Sequence, residues 1–169
     1  MKKRLEKHIF DIATSGRYCY QYTDGETYYV LDGHRLITYG TELSATPGLC
    51  ITAHDATIIS NVKKFIATET ECVRYELPTI EEIEKQISAV AGRAYSITVV
   101  YGNEKFAISA RYMLKAMKAL NATVCYINEV DPHKRGIFFY EDDNLNGPVK
   151  EMILPILRKD PNQVGFFRI

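Results

Sequence analysis

The residues of this chain able to do chemistry are dispersed. His8, His34, His54 and His133 stand singly, with no HExxH pair, no GxSxG elbow and no Walker-type glycine loop. Cys19, Cys50, Cys72 and Cys125 lie far apart without a CxxC spacing, so neither a zinc site nor a redox dithiol is encoded. Cys19 and Cys125 fall in apolar alternating runs, where a thiol packs as a small hydrophobe. Glu141-Asp142-Asp143 sits in a Gly/Asn-rich stretch and reads as a solvated loop. No catalytic residue, metal site or cofactor is expected, and the protein reads as non-enzymatic. What remains is binding chemistry. Arg111, Lys115 and Lys118 recur at i, i+4, i+7 opposite a Met/Leu face, and Lys3 and Lys7 lie in a basic N-terminal segment. Such stripes contact phosphates of double-stranded DNA without sequence preference and with strong salt sensitivity. A plain solvated helix face is the commoner use of the same pattern. Against DNA stand a formal net charge of zero and the acidic Glu81/Glu82/Glu84 and Glu141–Asp143 clusters.

The elements that must position these residues are legible from periodicity. Residues 2–15 form an amphipathic helix with Leu5, Ile9 and Ile12 on one face, ended by Gly16. Three short strands follow over 17–23, 26–31 and 34–39, turned at Asp24-Gly25 and Asp32-Gly33. Pro47-Gly48 punctuates the chain, with a short strand expected at 49–52, a helix over 54–66 and a strand over 72–77. Pro78-Thr79 opens a charged helix over 80–91, with Thr79 as cap and Glu81 and Glu82 complementing the helix dipole. Strands at 95–101 and 106–108 precede a strong helix over 109–120. Strands then follow at 124–128, 136–140 and 149–157. Helix followed by three strands thus occurs twice, which predicts two related lobes in an α+β fold, helices on one face of continuous sheets.

The chain has 169 residues, of which 46% are hydrophobic, enough for one domain or two small lobes sharing a core. The N-terminus carries charge without an apolar run, and no segment approaches the roughly 20 residues of a membrane span, so a cytoplasmic protein without membrane contact is expected. Zero net charge also eases self-association into a homo-oligomer.

Four stretches, in order, resemble the bacterial DNA sliding clamp, the beta subunit of the replicative DNA polymerase. Met1–Leu36, ending in Asp32-Gly33-His34-Arg35-Leu36, is similar to the start of the clamp's middle domain, with Leu31 where the family has Thr. Leu77-Pro78 with Ile83 resembles the interdomain segment. Phe106–Leu120, followed by Asp131-Pro132, resembles the start of the last half-domain. Met152–Arg158 is similar to the closing strand, with Leu154 and Ile156 in place of the family's methionines and the basic residue one place later. The resemblance implies a clamp-like lobe at 1–77, a helical linker at 78–92, a second clamp-like lobe at 93–158 and a tail at 159–169.

It further implies an apolar groove for linear peptide motifs of DNA polymerase or other replication and repair proteins. The lining would be Tyr20, Gly33, His34, Arg35, Leu36, Pro78, Ile83, Leu154, Pro155 and Ile156. Leu36, Ile83, Leu154 and Ile156 would supply aliphatic walls, and His34 or Arg35 donors, as a linear-peptide pocket needs; packing at the lobe boundary is the bland alternative. Gln163, Phe166 and Phe167 resemble the peptide motif that clamps bind, so the tail is expected to dock in its own groove or a neighbour's. The competing reading is a clamp mimic or structural oligomer without DNA contact.

Overall fold

The computed structural model describes residues 2–15, 19–40, 43, 56–67, 71–89, 96–101, 104–128, 130, 136–155 and 166–168. Helix α1 (Lys2–Thr14) leads into β1 (Tyr20–Thr23), β2 (Thr27–Leu31) and β3 (Arg35–Gly40). Then come α2 (Ala56–Ala67), β4 (Cys72–Glu76), α3 (Ile80–Ala89), β5 (Ser96–Tyr101) and β6 (Glu104–Ser109). Helix α4 (Ala110–Leu120) opens the second run of β7 (Val124–Asn128), β8 (Ile137–Tyr140) and β9 (Lys150–Ile153), and β10 (Phe166–Arg168) closes the chain.

Among the described residues, seven strands form one antiparallel sheet in the order β1-β2-β3-β9-β8-β7-β4. The two helix-plus-three-strand repeats are two meanders joined third strand to third strand, β3 against β9. Alternation along the strands divides the core in two. On the helical face, Leu5, Ile9 and Ile12 of α1, Ile83 of α3 and Met113, Ala116, Met117 and Leu120 of α4 meet Val30, Ile37, Cys125, Ile127, Ile137, Phe139 and Ile153. Each buried Leu, Ile, Val, Met or Phe side chain here contributes about 1.5–3 kcal/mol. On the other face lie Tyr22, Tyr29, Leu36, Val124, Tyr126, Phe138, Tyr140 and Met152. Three helices keep to the first face, whereas Val62 and Ile66 of α2 pack on the second, where this aromatic surface needs cover. Residues 80–89, expected as a linker, pack against α4 with Ile83 fully buried. Strand β4, expected at the end of the first lobe, pairs with β7 of the second.

A smaller sheet has the order β10-β5-β6, with β10 parallel to β5. Strand β6 runs straight into α4, whose N-cap Ser109 accepts a hydrogen bond from the Tyr112 N–H (3.3 Å) and whose C-cap Asn121 is left-handed (φ 55°). Helix α3 starts on a capping box, since Glu82 N–H donates to Thr79 Oγ1 and Thr79 N–H to Glu82 Oε2. No helix among the described residues is long and apolar enough to cross a membrane. The expected strand at 49–52 lies outside the described residues, as do His54, His133 and the Asp131-Pro132 pair.

Candidate peptide-binding strip and basic face

Asp32-Gly33-His34-Arg35 makes the β2–β3 turn. Asp32 N–H donates to Arg35 O (3.2 Å), which leaves Gly33 and His34 as a two-residue loop. Gly33 has φ 84° and His34 does not share the positive φ, so the turn is of the II′ kind that wants glycine first. The Asp32 carboxylate holds the turn, accepting from the backbone N–H groups of His34 (3.0 Å) and Arg35 (2.8 Å). The β1–β2 turn repeats the device, with Asp24 accepting from Glu26 and Thr27 N–H.

This turn sends its residues to different places. Arg35 points into the helical face, where its side chain is 1% exposed, and donates through Nε and Nη2 to Asp32 Oδ2. Its guanidinium lies 4.0 Å from the Tyr112 ring centroid, and Ser15 Oγ also donates to Asp32. Burial disfavours the Asp32 anion, but the Arg35 charge and these hydrogen bonds outweigh it and hold the pKa below the usual carboxylate value. Arg35 was expected to offer donors to a peptide; it is instead an internal brace, because its strand parity aims it under α4. Gly33 and His34 are exposed, with the His34 ring 6.2 Å from that of Tyr112.

Leu36 points to the opposite face. Strand register sets Tyr20, Leu31, Leu36 and Met152 in one row across β1, β2, β3 and β9. Leu154 N–H donates to His34 O (2.8 Å), and Leu154 packs on the same cluster as Leu36, followed by half-buried Pro155. Of the expected groove, the fold puts Leu36 and Leu154 in one cluster, with Tyr20 two strands along the same row, Pro155 next in the chain, and the Gly33-His34 turn at the end of β3, its imidazole on the Tyr112 side. Ile156 lies outside the described residues. Pro78 and Ile83 are elsewhere, since β4 stands four strand steps from β3, about 19 Å at the usual strand spacing. Ile83 is fully buried in the helical core. Pro78 lines a separate cleft of about 430 Å³ with Leu77, Ile80, Met117 and Ala122. Sequence reasoning missed Met152, which a row argument from the β3–β9 register supplies, although no local signal announces that pairing.

The tail's Phe166 and Phe167 are in β10, opposite Thr98 and Val99 in the smaller sheet, whereas docking in the chain's own groove or a neighbour's was expected. Gln163 lies outside the described residues.

Of the basic residues, Lys115 donates to Asp11 (2.8 Å) and Lys118 to Glu84 (2.5 Å), all four roughly half exposed. The hydrogen bond from Lys115 lowers the Asp11 pKa. Lys3, Lys7 and Arg111 are exposed on the same helical layer. Beneath it, a second polar pair was not foreseen. His8 of α1 meets Glu151 of β9 at 2.6 Å, both buried. The signal was present, because His8 belongs to the Leu5-Ile9-Ile12 stripe and Glu151 shares the inward parity of Ile153.

Cys125, Cys19 and the Asp142-Asp143 pair are engaged within the fold, and Cys50 lies outside the described residues. Burial pushes the Cys125 thiol up to about 12, and Cys19 Sγ–H donates to Ile12 O. Asp143 accepts from the N–H groups of Thr123 and Val124, and Asp142 from Asn121. No cluster of metal-ligating residues occurs among the described residues.

No protein-family model matches the chain, and no curated protein sequence matches it. Solved structures do. A structure described as a putative DNA polymerase III beta subunit from Eubacterium rectale superposes with a TM-score of 0.58 at 14% identity, covering 93% of this chain and 63% of that one. The DNA polymerase sliding clamp of Pseudomonas aeruginosa, solved with a ligand, gives 0.56 at 11% identity, covering 93% and 64%.

The fold is that of a bacterial DNA sliding clamp.

At such identities the likeness is one of fold, and the chain spans less than two thirds of the length of these clamps. Within the clamp fold, the β3–β9 junction is where the two repeats meet, and it carries the apolar row on one face and the Arg35–Asp32 and His8–Glu151 pairs on the other.

Proposed function

We propose that this clamp-like chain is a non-enzymatic binding module that takes an extended apolar peptide segment of a replication or repair protein. The peptide lies along the strip of Tyr20, Leu31, Leu36 and Leu154, with Gly33 and His34 at its rim. The observation that carries this reading is the β3–β9 junction. Leu36 and Leu154 lie in one apolar cluster beside the exposed Gly33-His34 turn, pinned by the Leu154 N–H to His34 O bond. Aliphatic walls beside a rigid polar rim suit a linear motif with an apolar-aromatic end. The test is fluorescence anisotropy with a labelled peptide carrying a Gln, two variable residues, Leu and Phe. Leu154→Ser and His34→Glu each weaken binding by roughly tenfold or more, the effect of losing one buried apolar contact or adding a charge at a rim. Equal affinity of both variants and the wild type refutes the strip.

A second reading, a clamp mimic or structural oligomer without DNA contact, is favoured by one observation. Lys115 and Lys118 are engaged with Asp11 and Glu84, so the stripe expected to meet phosphates is balanced by the protein's own carboxylates.

A further inference from the structure

We propose that the cleft between the start of α3 and the end of α4 takes a peptide segment in which an aliphatic residue is followed by Lys or Arg. The cleft measures about 430 Å³, within the range of roughly 300–1,000 Å³ usual for binding pockets. Its lining follows from local chemistry. Leu77 N–H donates to Thr123 O (2.9 Å), which carries the β4–β7 ladder one bond past the Glu76–Val124 pair. Pro78 has no N–H to extend it, and the chain turns into α3. On the α4 side, the N–H groups of Asn121 and Ala122 both return to Met117 O and close that helix. These two bends leave Leu77, Pro78 and Ile80 half-buried in the lining, beside Met117 and Ala122, which are 3% and 4% exposed. The unbranched Met117 thioether adapts its shape to an aliphatic guest.

Acidic groups surround this hollow. Glu81 is exposed in the lining itself. Two further lining residues each hold a carboxylate beside it. Asn121 Nδ2 donates to Asp142 (2.8 Å), and Thr123 donates to Asp143 through its N–H (3.0 Å) and Oγ1 (2.6 Å). The negative end of the α4 dipole adds to these charges. The positive end of α3 is already matched by Glu82, whose carboxylate accepts from Thr79 N–H. Among the cations of these elements, Lys118 is engaged by Glu84 and Arg74 by Glu76, while Lys85 stands one turn further along α3. An apolar hollow beside Glu81, Asp142 and Asp143 is complementary to an aliphatic side chain with a cation next to it. The same charges repel the phosphates of a nucleic acid.

This site is separate from the strip assigned above. Leu77, Ile80, Met117 and Ala122 belong to the helical core, whereas Leu36 and Leu154 pack on the other face of the sheet. Either site can therefore fail its own test without the other.

Fluorescence anisotropy on the full chain tests the cleft with a labelled Gly-Ser-Leu-Leu-Arg-Lys-Ser-Gly peptide. The basic peptide binds, and the same peptide with Glu-Glu in place of Arg-Lys does not over the same concentration range. Replacing Leu-Leu by Ser-Ser weakens binding roughly tenfold or more. Glu81→Lys weakens it roughly tenfold, by setting a cation against the peptide's own. Asp142→Asn keeps a residue that tolerates the left-handed backbone there (φ 51°) and costs a few-fold in affinity. Circular dichroism verifies that both variants fold. Methyl NMR supplies the location, with the Met117 and Ala122 resonances shifting on titration and that of Met152, in the strip row, staying in place. An excess of the Gln-containing peptide designed for the strip does not displace the probe. Absence of binding at millimolar peptide, equal binding of the acidic peptide, wild-type affinity in Glu81→Lys, shifts at Met152 in place of Met117, or displacement by the strip peptide each overturns the proposal.

Discussion

Asp32 and Arg35 show how one residue pair can serve the fold beneath a binding surface. Their charges are nearly excluded from water, so each stabilises the structure only while the other is present. Arg35→Ala leaves the Asp32 carboxylate buried without its countercharge and is expected to cost about 3–5 kcal/mol in urea denaturation. The double change Asp32→Asn with Arg35→Met removes both charges and is expected to cost less than Arg35→Ala alone; a larger loss would show that the pair does not act as a unit. The pH dependence has a definite sign. The folded Asp32 pKa lies below its unfolded value near 4, so its contribution is fully present above that pH and is lost as pH falls through the depressed folded pKa. Denaturation of the wild type at successively lower pH should therefore show a loss of stability that Asp32→Asn lacks. His8 and Glu151 invite the same comparison beneath α1, where His8→Ala leaves a fully buried carboxylate whose Oε1 already has no hydrogen-bond partner among the described residues.

Elements of this chain owe their ends to single residues. Gly136 enters β8 with φ 76°, and a Cβ there would stand 2.3 Å from Ile153 O, a backbone atom held in the β8–β9 ladder. Gly136→Ala is thus expected to destabilise by at least about 2 kcal/mol, from the left-handed backbone and the clash together. A thermal melt checks it, and an unchanged midpoint would mean that β8 enters differently. The same locality explains what could be read in advance. Leu5, Ile9 and Ile12 announce α1, and the Asp24-Gly25 and Asp32-Gly33 turns announce β1 to β3, because helix stripes and hairpin turns are short-range properties. Strand β9 ends at Ile153, where an apolar run to Leu157 suggested more: Leu154 adds one last bond, to His34 O opposite it, and Pro155 then has no N–H to carry the ladder on. The β3–β9 and β4–β7 pairings join residues more than a hundred and about fifty positions apart, respectively, and no local pattern encodes them. For that reason Leu36 and Leu154 could be placed together only through a resemblance, while the same resemblance misplaced Pro78 and Ile83.

At the scale of the whole molecule, the two meanders form a sheet with unlike faces, and the helical face carries the basic stripe. Its outer surface carries Lys3, Lys7, Arg111, Lys115 and Lys118, yet Asp11 and Glu84 sit among them and the chain is neutral overall. A molecule that holds DNA by this face must exchange each of those exposed ion pairs for a phosphate. Such pairs are individually weak, worth about 0–1 kcal/mol, so exchange is feasible, but the long-range field that would draw DNA in is absent. The expected behaviour is feeble binding of duplex DNA at physiological salt. Asp11→Asn with Glu84→Gln leaves every cation in place and gives the chain a formal charge of plus two. If the face contacts DNA, this double variant binds more tightly at low salt. Its plot of log K against log salt should steepen by up to about 0.9 for each additional phosphate that Lys115 and Lys118 neutralise. Reversing Lys115 and Lys118 to Glu in the same background should abolish the gain. An unchanged slope and affinity in the double variant would mean that the helical face does not meet DNA. The role of this clamp fold would then rest on the apolar strip.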